Sequence, residues 1–160
     1  MEVEVERNAL DIFTWLRDQK NKKLVEPSVT ELNVLKELED GLRIRFCHIV
    51  YKLVFPLANR EAVVAMFEGK EGDVFVLGAS SVELDKVPEV SISSSKSVWS
   101  TVNVSGHVVI PLSQKKSKLV TMADVNPGGK IPTWSINWAA EHRLKQQVEL
   151  GKLLEKHISK

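Results

Sequence analysis

Apolar and polar positions alternate with two different periods near the start of this chain. Val3 and Val5 alternate with glutamates, a period of two that predicts a short strand with one face in water. Asn8 is a favourable N-cap, with Asp11 in the capping-box position three residues later. The following apolar residues keep the spacing of a helix buried on one face: Ala9, Ile12, Phe13 and Leu16. The first elements are therefore predicted to be a strand and a helix.

The next hundred residues have the pattern of β-strands. The basic segment 20–23, with Pro27, predicts a surface connection that ends the helix. Strands are then predicted over 29–38, 42–55, 61–67, 74–80, 98–112 and 118–125. Turn residues separate most of them at 39–41, 69–73 and 113–117, and a polar connection spans 81–97. Strict alternation over 98–112 predicts that Val102, Val104 and Val108 share one face.

The segment from Asp124 to Trp138 predicts a strand that turns abruptly into a long helix. Pro127-Gly128-Gly129 is a strong turn signal, and Pro132 is acceptable in a first helical turn, where its missing N–H is no loss. The residues up to Lys160 favour a helix. An apolar stripe at helical spacing is predicted to be its buried face: Ala140, Leu144, Val148, Gly151, Leu154 and Ile158.

This order of elements predicts an α+β fold in a single domain, 1–160. Consecutive antiparallel strands must curl because sheets twist. The long C-terminal helix cannot bury its stripe alone, so it is expected to lie across the concave face of a curved sheet of about seven strands. Small and medium side chains dominate the strand faces. We therefore expect a cavity between the sheet and the helix.

Composition narrows the possible partners and compartments. A formal net charge of +1 over 160 residues provides no general field for nucleic acid. The single cysteine excludes an internal disulfide framework. The N-terminus lacks the basic and apolar regions of a secretory signal, and no apolar run approaches the roughly 20 residues that span a bilayer. A cytoplasmic protein without a nucleic-acid partner is expected.

Four segments resemble START domains, the lipid-transfer domains related to the steroidogenic acute regulatory protein. They are Pro56-Leu57-Ala58-Asn59-Arg60-Glu61-Ala62-Val63-Val64, Gly106-His107-Val108-Val109-Ile110-Pro111-Leu112, Leu119-Val120-Thr121-Met122-Ala123-Asp124 and the helix entry 126–137, in the family's order and spacing. The resemblance implies the helix-grip fold, which is shared with Bet v 1-like proteins. It also implies that the sequence corresponds to a minimal version, without the family's N-terminal helix and two strands.

The family's motif positions are interpreted as structural: Arg60, Asp124, Pro132, Trp134 and Asn137. Arg60 is expected to pair with a carboxylate, while Asp124 and Asn137 are expected to cap the strand-to-helix corner. Trp134 and Trp138 are one turn apart, and core packing is favoured for them over a place at the cavity mouth. By the resemblance, an internal charged pair of some relatives falls at Met66 and near Cys47 or His48. A neutral contact or water is therefore expected to meet the polar end of a ligand.

The resemblance implies non-catalytic binding, with transfer, of a lipid, sterol or other hydrophobic molecule. The predicted ligand-binding residues are Phe46, His48, Met66, Val102, Val104, Val108, Met122 and Trp138. His48 is the polar candidate, and a hydrogen-bonded or solvent-facing strand histidine is its alternative role. The C-terminal helix or the 81–97 connection is expected to gate entry. Transient contact with a membrane surface is also expected, whereas Lys115, Lys116 and Lys118 are interpreted first as a solvated turn.

Two other functions remain open from the sequence. Small helix-grip proteins include enzymes of the cyclase or hydratase type and protein-interaction modules with a filled cavity. This sequence has no nucleophile-elbow, zinc-protease or dinucleotide-binding motif, and its four histidines are scattered. No catalytic residue, metal site or cofactor is therefore predicted. The contents of the cavity distinguish the three functions.

Overall fold

The computed structural model describes residues 1–40, 42–83, 87 and 96–159, without the side chains at 39, 40 and 42. Gly41 of the first predicted hairpin turn and most of the predicted 81–97 connection lie outside these residues. The helices are α1 (Ala9–Arg17), α2 (Lys22–Val25) and α3 (Thr133–His157). The strands are β1 (Glu2–Val5), β2 (Val29–Asp40), β3 (Leu42–Tyr51), β4 (Arg60–Glu71), β5 (Val74–Ser81), β6 (Val98–Trp99), β7 (Thr101–Ser113) and β8 (Lys116–Asn126).

The strands of the described chain form one sheet in the order β1-β8-β7-β5-β4-β3-β2, with antiparallel neighbours throughout. The two-residue β6 lies outside this path and pairs in parallel with the start of β4. Apart from β1, which pairs with β8, and the short β6, strands that follow one another in the sequence are neighbours in the sheet. The predicted antiparallel sheet with a long C-terminal helix is confirmed.

The first helix closes one end of the concave face. Asn8 caps it, since its side-chain oxygen accepts from the Asp11 backbone N–H at 2.9 Å. The predicted buried residues Ala9, Ile12, Phe13 and Leu16 are all buried. They form one cluster with residues of the sheet and of α3: Val5, Phe75, Val109, Leu119, Leu150 and Leu154. This cluster fills one end of the concave face and does not extend to the other end.

The buried face of α3 is rotated from the predicted stripe. Gly151 lies against β1, where an added Cβ would be 3.1 Å from Val3 Cγ2. This close approach, with buried Leu150 and Leu154, fixes the rotation of the helix about its axis. Leu144 and Val148 consequently face solvent, as does Ala140. The predicted stripe is therefore corrected at these three positions and holds at Gly151 and Leu154.

A bulge in β7 divides the face predicted from strict alternation. The pairing with β8 shifts register between Val102 and Val104. An extra residue in one strand reverses which face the following side chains occupy. Val102 is buried on the concave side, whereas Val104 is exposed on the outer side. The prediction that Val102, Val104 and Val108 share a face is corrected for this reason.

Candidate ligand-binding cavity

A cavity of about 340 Å³ lies between the concave face of the sheet, the segment 16–30 and α3. Its wall is mainly apolar. The apolar side chains come from α1, β2, β3, β4, β5, β7 and β8: Leu16, Leu32, Ile49, Val64, Met66, Leu77, Ala79, Val102 and Val125. A mostly apolar concavity with a few polar groups is the usual form of a small-molecule site.

The structure brings part of the predicted ligand-binding set to this cavity. Met66 and Val102 lie in its wall, and Met122 borders it with a partly exposed side chain. The other residues lie elsewhere, outside the wall: Phe46, His48, Val104, Val108 and Trp138. Phe46 and His48 occupy the outer face of β3, because its inward positions are the odd-numbered Arg45, Cys47 and Ile49.

His48 has a partner on that outer face. Its Nε2 lies 3.0 Å from Glu61 Oε2, and both side chains are buried. The Trp99 ring lies 6.4 Å away between centroids. This arrangement corrects an inward position for His48 and matches its alternative role as a hydrogen-bonded strand histidine.

The cavity wall contains a buried ion pair that the sequence analysis did not predict. Arg45 Nη2 lies 2.9 Å from Glu68 Oε1, and Arg17 Nε lies 3.1 Å from Glu68 Oε2. Arg45 Nε is buried without a hydrogen-bond partner. The charged pair of some relatives is absent at Met66 and at Cys47 or His48, as expected, but this different pair means that the wall is not limited to neutral polar contacts. Alternation places Arg45 on the same face as Cys47, and Glu68 on the same face as Met66, but it does not show which face turns toward the cavity.

The basic segment 20–23 keeps its predicted surface position at Lys20 and Lys23, which are exposed, and it also contributes to the cavity wall. Its residues form a 3₁₀ turn and then α2, which places Lys22 in the cavity wall. Burial lowers the pKa of the Lys22 ammonium, and the Glu26 carboxylate opposes that shift. A run of basic residues ordinarily indicates solvent exposure, so the sequence did not indicate that Lys22 would lie in the cavity wall.

Two other titratable wall residues are affected by burial. His107 Nδ1 lies 2.9 Å from Thr121 Oγ1. Burial, and secondarily the Lys22 charge, lower the pKa of His107 to about 4. Burial also raises the pKa of the Cys47 thiol, although the Arg45 guanidinium opposes the shift. At neutral pH these groups are an uncharged imidazole and a thiol, so neither adds charge to the cavity.

The strand-to-helix corner is held by Arg60, with a different partner from the predicted carboxylate. Its guanidinium donates to the carbonyl oxygens of Ala58 at 2.6 Å and Gly128 at 3.3 Å, and also to that of Pro127. Asn126 Oδ1 accepts from the Gly128 N–H at 3.0 Å. Positive φ at Gly128 and Gly129 permits the turn. Arg60 therefore joins the start of β4 to the corner before α3.

The other motif residues at this corner have exposed side chains, and none of them caps α3 with a side-chain hydrogen bond. Pro132 is the N-cap of α3 and precedes the first helical residue. Asp124 and Asn137 are exposed, and neither makes a side-chain hydrogen bond within the described chain, which corrects their predicted capping role. Trp134 and Trp138 are 50% and 44% exposed, which corrects the favoured core packing. The Trp138 ring stacks on His142 at 4.7 Å between centroids.

The lysines of the last hairpin make ion pairs with β1. Lys116 Nζ lies 2.6 Å from a Glu4 oxygen and 3.4 Å from a Glu6 oxygen, while Lys118 Nζ lies 3.5 Å from Glu2. Lys116 and Lys118 are thus paired, whereas no ion pair joins Lys115 to a carboxylate of the described residues. Among the described residues, no helix combines the length and apolar character needed to cross a bilayer.

A curved antiparallel sheet that holds one long helix over a mostly apolar cavity defines the helix-grip class of ligand-binding proteins. Within that class, a family model for the START domain matches residues 1–149. Because this match covers most of the sequence, the chain belongs to the START family, as its motifs predicted.

Sequence and structure comparisons agree with this assignment. The chain is 30% identical to rat phosphatidylcholine transfer protein over 132 residues, which are 78% of this chain and 53% of that protein. The chain thus spans about half the length of this curated relative. Human STARD10 superposes with a TM-score of 0.74 at 18% identity, covering 98% of this chain and 65% of that one.

Other solved structures share the fold at lower identity. Human StAR-related lipid transfer protein 5 gives a TM-score of 0.76 at 15% identity, covering 98% of this chain and 73% of that one. The Zhui aromatase/cyclase from Streptomyces sp. R1128 superposes with a TM-score of 0.59 at 10% identity, covering 99% of this chain and 93% of that one. At these identities the similarity shows the fold alone.

Proposed function

We propose that this chain binds a lipid, sterol or other hydrophobic small molecule in the cavity and transfers it between membranes. The observation that carries the proposal is the mainly apolar cavity of about 340 Å³ between the sheet and the helices. START membership and the similarity to a phosphatidylcholine transfer protein support it. The driving force is removal of apolar ligand surface from water, worth about 25 cal/mol per Å².

The cavity also offers polar contacts that would orient a ligand. Arg45 Nε is a buried donor without a partner, and its guanidinium is already held by Glu68. A ligand oxygen that accepts from this N–H would satisfy it. Fixed polar groups in an apolar wall set orientation, while the apolar area supplies most of the affinity.

The same wall favours binding over catalysis. His107 is the histidine of the described wall, and burial lowers its pKa to about 4. A general base works best with a pKa near the operating pH. The Glu68 carboxylate forms ion pairs with two arginines, and these contacts occupy the oxygens that a general base would use. We therefore propose that the protein is not an enzyme.

The binding proposal is tested by filling the cavity. Ala79 lies in the wall, whereas Ala65 lies on the outer face of the neighbouring strand. We expect native mass spectrometry with a panel of fatty acids, lysophospholipids and cholesterol to show 1:1 complexes for the native chain and Ala65→Phe. The same complexes are expected to be lost in Ala79→Phe, because its ring occupies the cavity. Absence of any complex with the native chain would overturn the proposal.

We also propose transient membrane contact through the exposed face of α3. Trp134, Trp138, Leu144 and Val148 are half exposed on this helix, and α3 contributes Arg143 to the cavity wall. Exposed aromatic and aliphatic side chains on one helix are suited to an interfacial position. Ligand would then enter and leave near the bilayer, with α3 as the gate; the 81–97 connection, the other predicted gate, lies mostly outside the described residues.

Vesicle co-sedimentation tests this contact. The double variant Leu144→Ser, Val148→Ser is expected to bind phosphatidylcholine vesicles more weakly than the native chain, because apolar surface is removed from the contacting face. Leu10→Ser is the matched control, since Leu10 is similarly exposed but lies on α1. Equal loss in both variants, or no loss in the double variant, would contradict a contact through α3.

A further inference from the structure

Lys22 lies in the cavity wall and has no ion-pair partner among the described residues. Its side chain lines the cavity, and no carboxylate oxygen of the described residues lies within 4.0 Å of its ammonium. Glu26 lies one turn later, and its carboxylate opposes the lowering of the Lys22 pKa. The Glu26 carboxylate accepts a hydrogen bond from Ser28 Oγ at 2.6 Å. Burial lowers the pKa of Lys22, as expected for an ammonium group near few compensating charges.

The charges around Lys22 leave the described wall with more cations than carboxylates. Arg45 and Arg17 are both paired with Glu68. Arg143 also lines the wall, and it borders a small recess together with Glu26 and His107. No ion pair joins Arg143 to a carboxylate of the described chain. Lys22 and Arg143 are therefore two cations for which the described wall supplies no ion-pair partner.

The wall is poorly suited to a choline headgroup. Quaternary ammonium groups are recognised by aromatic cages. Tyr51 and Phe67 are the aromatic residues of the described wall, and the Phe67 ring lies against the Gly78 backbone. Positive wall charge would also repel the ammonium. The chemistry of this wall thus differs from what a zwitterionic choline lipid requires.

The cavity volume limits the apolar part of the ligand. About 340 Å³ is near the lower end of the roughly 300–1,000 Å³ found for sites that hold drug-sized molecules. A single acyl chain suits this volume better than the two chains of a phospholipid. Charge and volume together describe a small amphiphile with an acidic group.

We propose that the cavity selects a single-chain anionic amphiphile, whose carboxylate or phosphate monoester pairs with the Lys22 ammonium, with Arg143 as a second cation. This inference rests on the proposed binding function and specifies its ligand class. Charge-assisted hydrogen bonds are roughly twice as strong as neutral ones, and the ligand's anion would give Lys22 the ion-pair partner that the described wall does not supply.

The test compares ligands that differ only in the charge of the polar end. Oleate is paired with oleyl alcohol, and oleoyl lysophosphatidic acid with oleoyl lysophosphatidylcholine. Affinities are measured by isothermal titration calorimetry below the concentration at which each lipid aggregates. The native chain is expected to prefer at least one anionic member by about tenfold, a factor equivalent to one additional charge-assisted contact.

Variants assign that preference to Lys22. Lys22→Met is expected to abolish the preference while keeping the affinity for the neutral or zwitterionic member. Lys22→Arg keeps the positive charge and is expected to retain the preference for the anionic lipid. Lys20→Met is the matched control, because Lys20 is exposed and outside the wall, and it should behave as the native chain. Circular dichroism and thermal unfolding establish that each variant is folded.

The outcomes separate this inference from the proposed function. A preference limited to oleate indicates a fatty acid, a preference limited to lysophosphatidic acid indicates a phosphate monoester, and both together indicate recognition of charge. Equal binding of charged and uncharged members, or an unchanged preference in Lys22→Met, overturns the inference and leaves cavity binding standing. Failure of all four lipids to bind the native chain overturns both.

Discussion

At the scale of single residues, Glu68 is the carboxylate that holds two arginines beside the cavity. It lies within ion-pair distance of Arg45 and Arg17, and both Glu68 and Arg45 are buried. A buried pair need not add much net stability, because desolvation opposes the Coulomb attraction. Removal of one partner is costly, since it leaves the other charge buried and unpaired.

Glu68→Gln is therefore expected to destabilise the fold by about 3 kcal/mol, because Arg45 would lose its counter-ion in a buried position. Urea unfolding followed by circular dichroism measures the change in the free energy of unfolding. Glu71→Gln, an exposed position near the end of the same strand, should change it by less than about 0.5 kcal/mol. Similar values for the two variants would contradict the buried ion pair.

His107 gives a stability dependence on pH with a defined sign. Its pKa is lowered from 6.5 to about 4 in the folded chain. Above pH 6.5 the imidazole is neutral in both states; between pH 6.5 and 4 the unfolded chain binds a proton that the folded chain does not. Lowering the pH through this window therefore reduces stability, by up to about 3 kcal/mol.

His107→Gln tests this dependence because glutamine keeps a polar partner for Thr121 but does not titrate. The native chain is expected to lose more stability than the variant between pH 7 and pH 4, as measured by urea unfolding at each pH. If the free energy of unfolding fell equally with pH in the native chain and the variant, a strongly lowered His107 pKa would be contradicted.

At the scale of the elements, Gly151 determines how α3 sits on the sheet. An added Cβ at this position would lie 3.1 Å from Val3 Cγ2 and 3.5 Å from Val3 Cγ1. The absence of a side chain thus permits the helix to approach β1. This contact turns Leu150 and Leu154 inward and leaves Leu144 and Val148 outside.

Gly151→Leu is expected to lower the free energy of unfolding by about 1–3 kcal/mol, because the larger side chain has no space against Val3. Lys152→Leu places the same side chain at the next, exposed position and should change stability by less than about 0.5 kcal/mol. Denaturant midpoints measure both effects. A neutral or stabilising Gly151→Leu would contradict the close packing of α3 on β1.

The elements also show which inward residues the sequence could predict. β3 has apolar residues on both faces, with Ile44 and Phe46 outward and Cys47 and Ile49 inward, so its period of two does not identify the cavity side. The β7 bulge reverses the faces after Val102 and is not evident in an alternating sequence. Local pattern therefore predicted the strands more reliably than the directions of their side chains.

At the scale of the whole molecule, the fold followed from signals that are local in sequence. The Asn8 cap, the glycines of the corner and the proline before α3 each specify a boundary, and the strands between them are mostly joined to their sequence neighbours. The cavity's charged groups depend on tertiary packing. Lys22 and Arg45 belong to segments whose local pattern does not distinguish a cavity from solvent or core.

If ligand occupies the cavity, it lies beside Cys47, and this single cysteine of the sequence reports on its presence. Cys47 is buried in the cavity wall. The control is the double variant Cys47→Ser, Ala65→Cys, which moves the thiol to the outer face of the sheet. The rate of thiol modification by a disulfide reagent is followed during titration with oleate, lysophosphatidylcholine and cholesterol.

A bound ligand fills the cavity and restricts access to its wall, so we expect slower modification of Cys47 with at least one of these lipids. The protection should saturate at one ligand per chain, with little effect on the outer-face thiol of the control. Unchanged modification of Cys47 at lipid concentrations that saturate binding, or equal protection of both thiols, would contradict a ligand site inside the cavity.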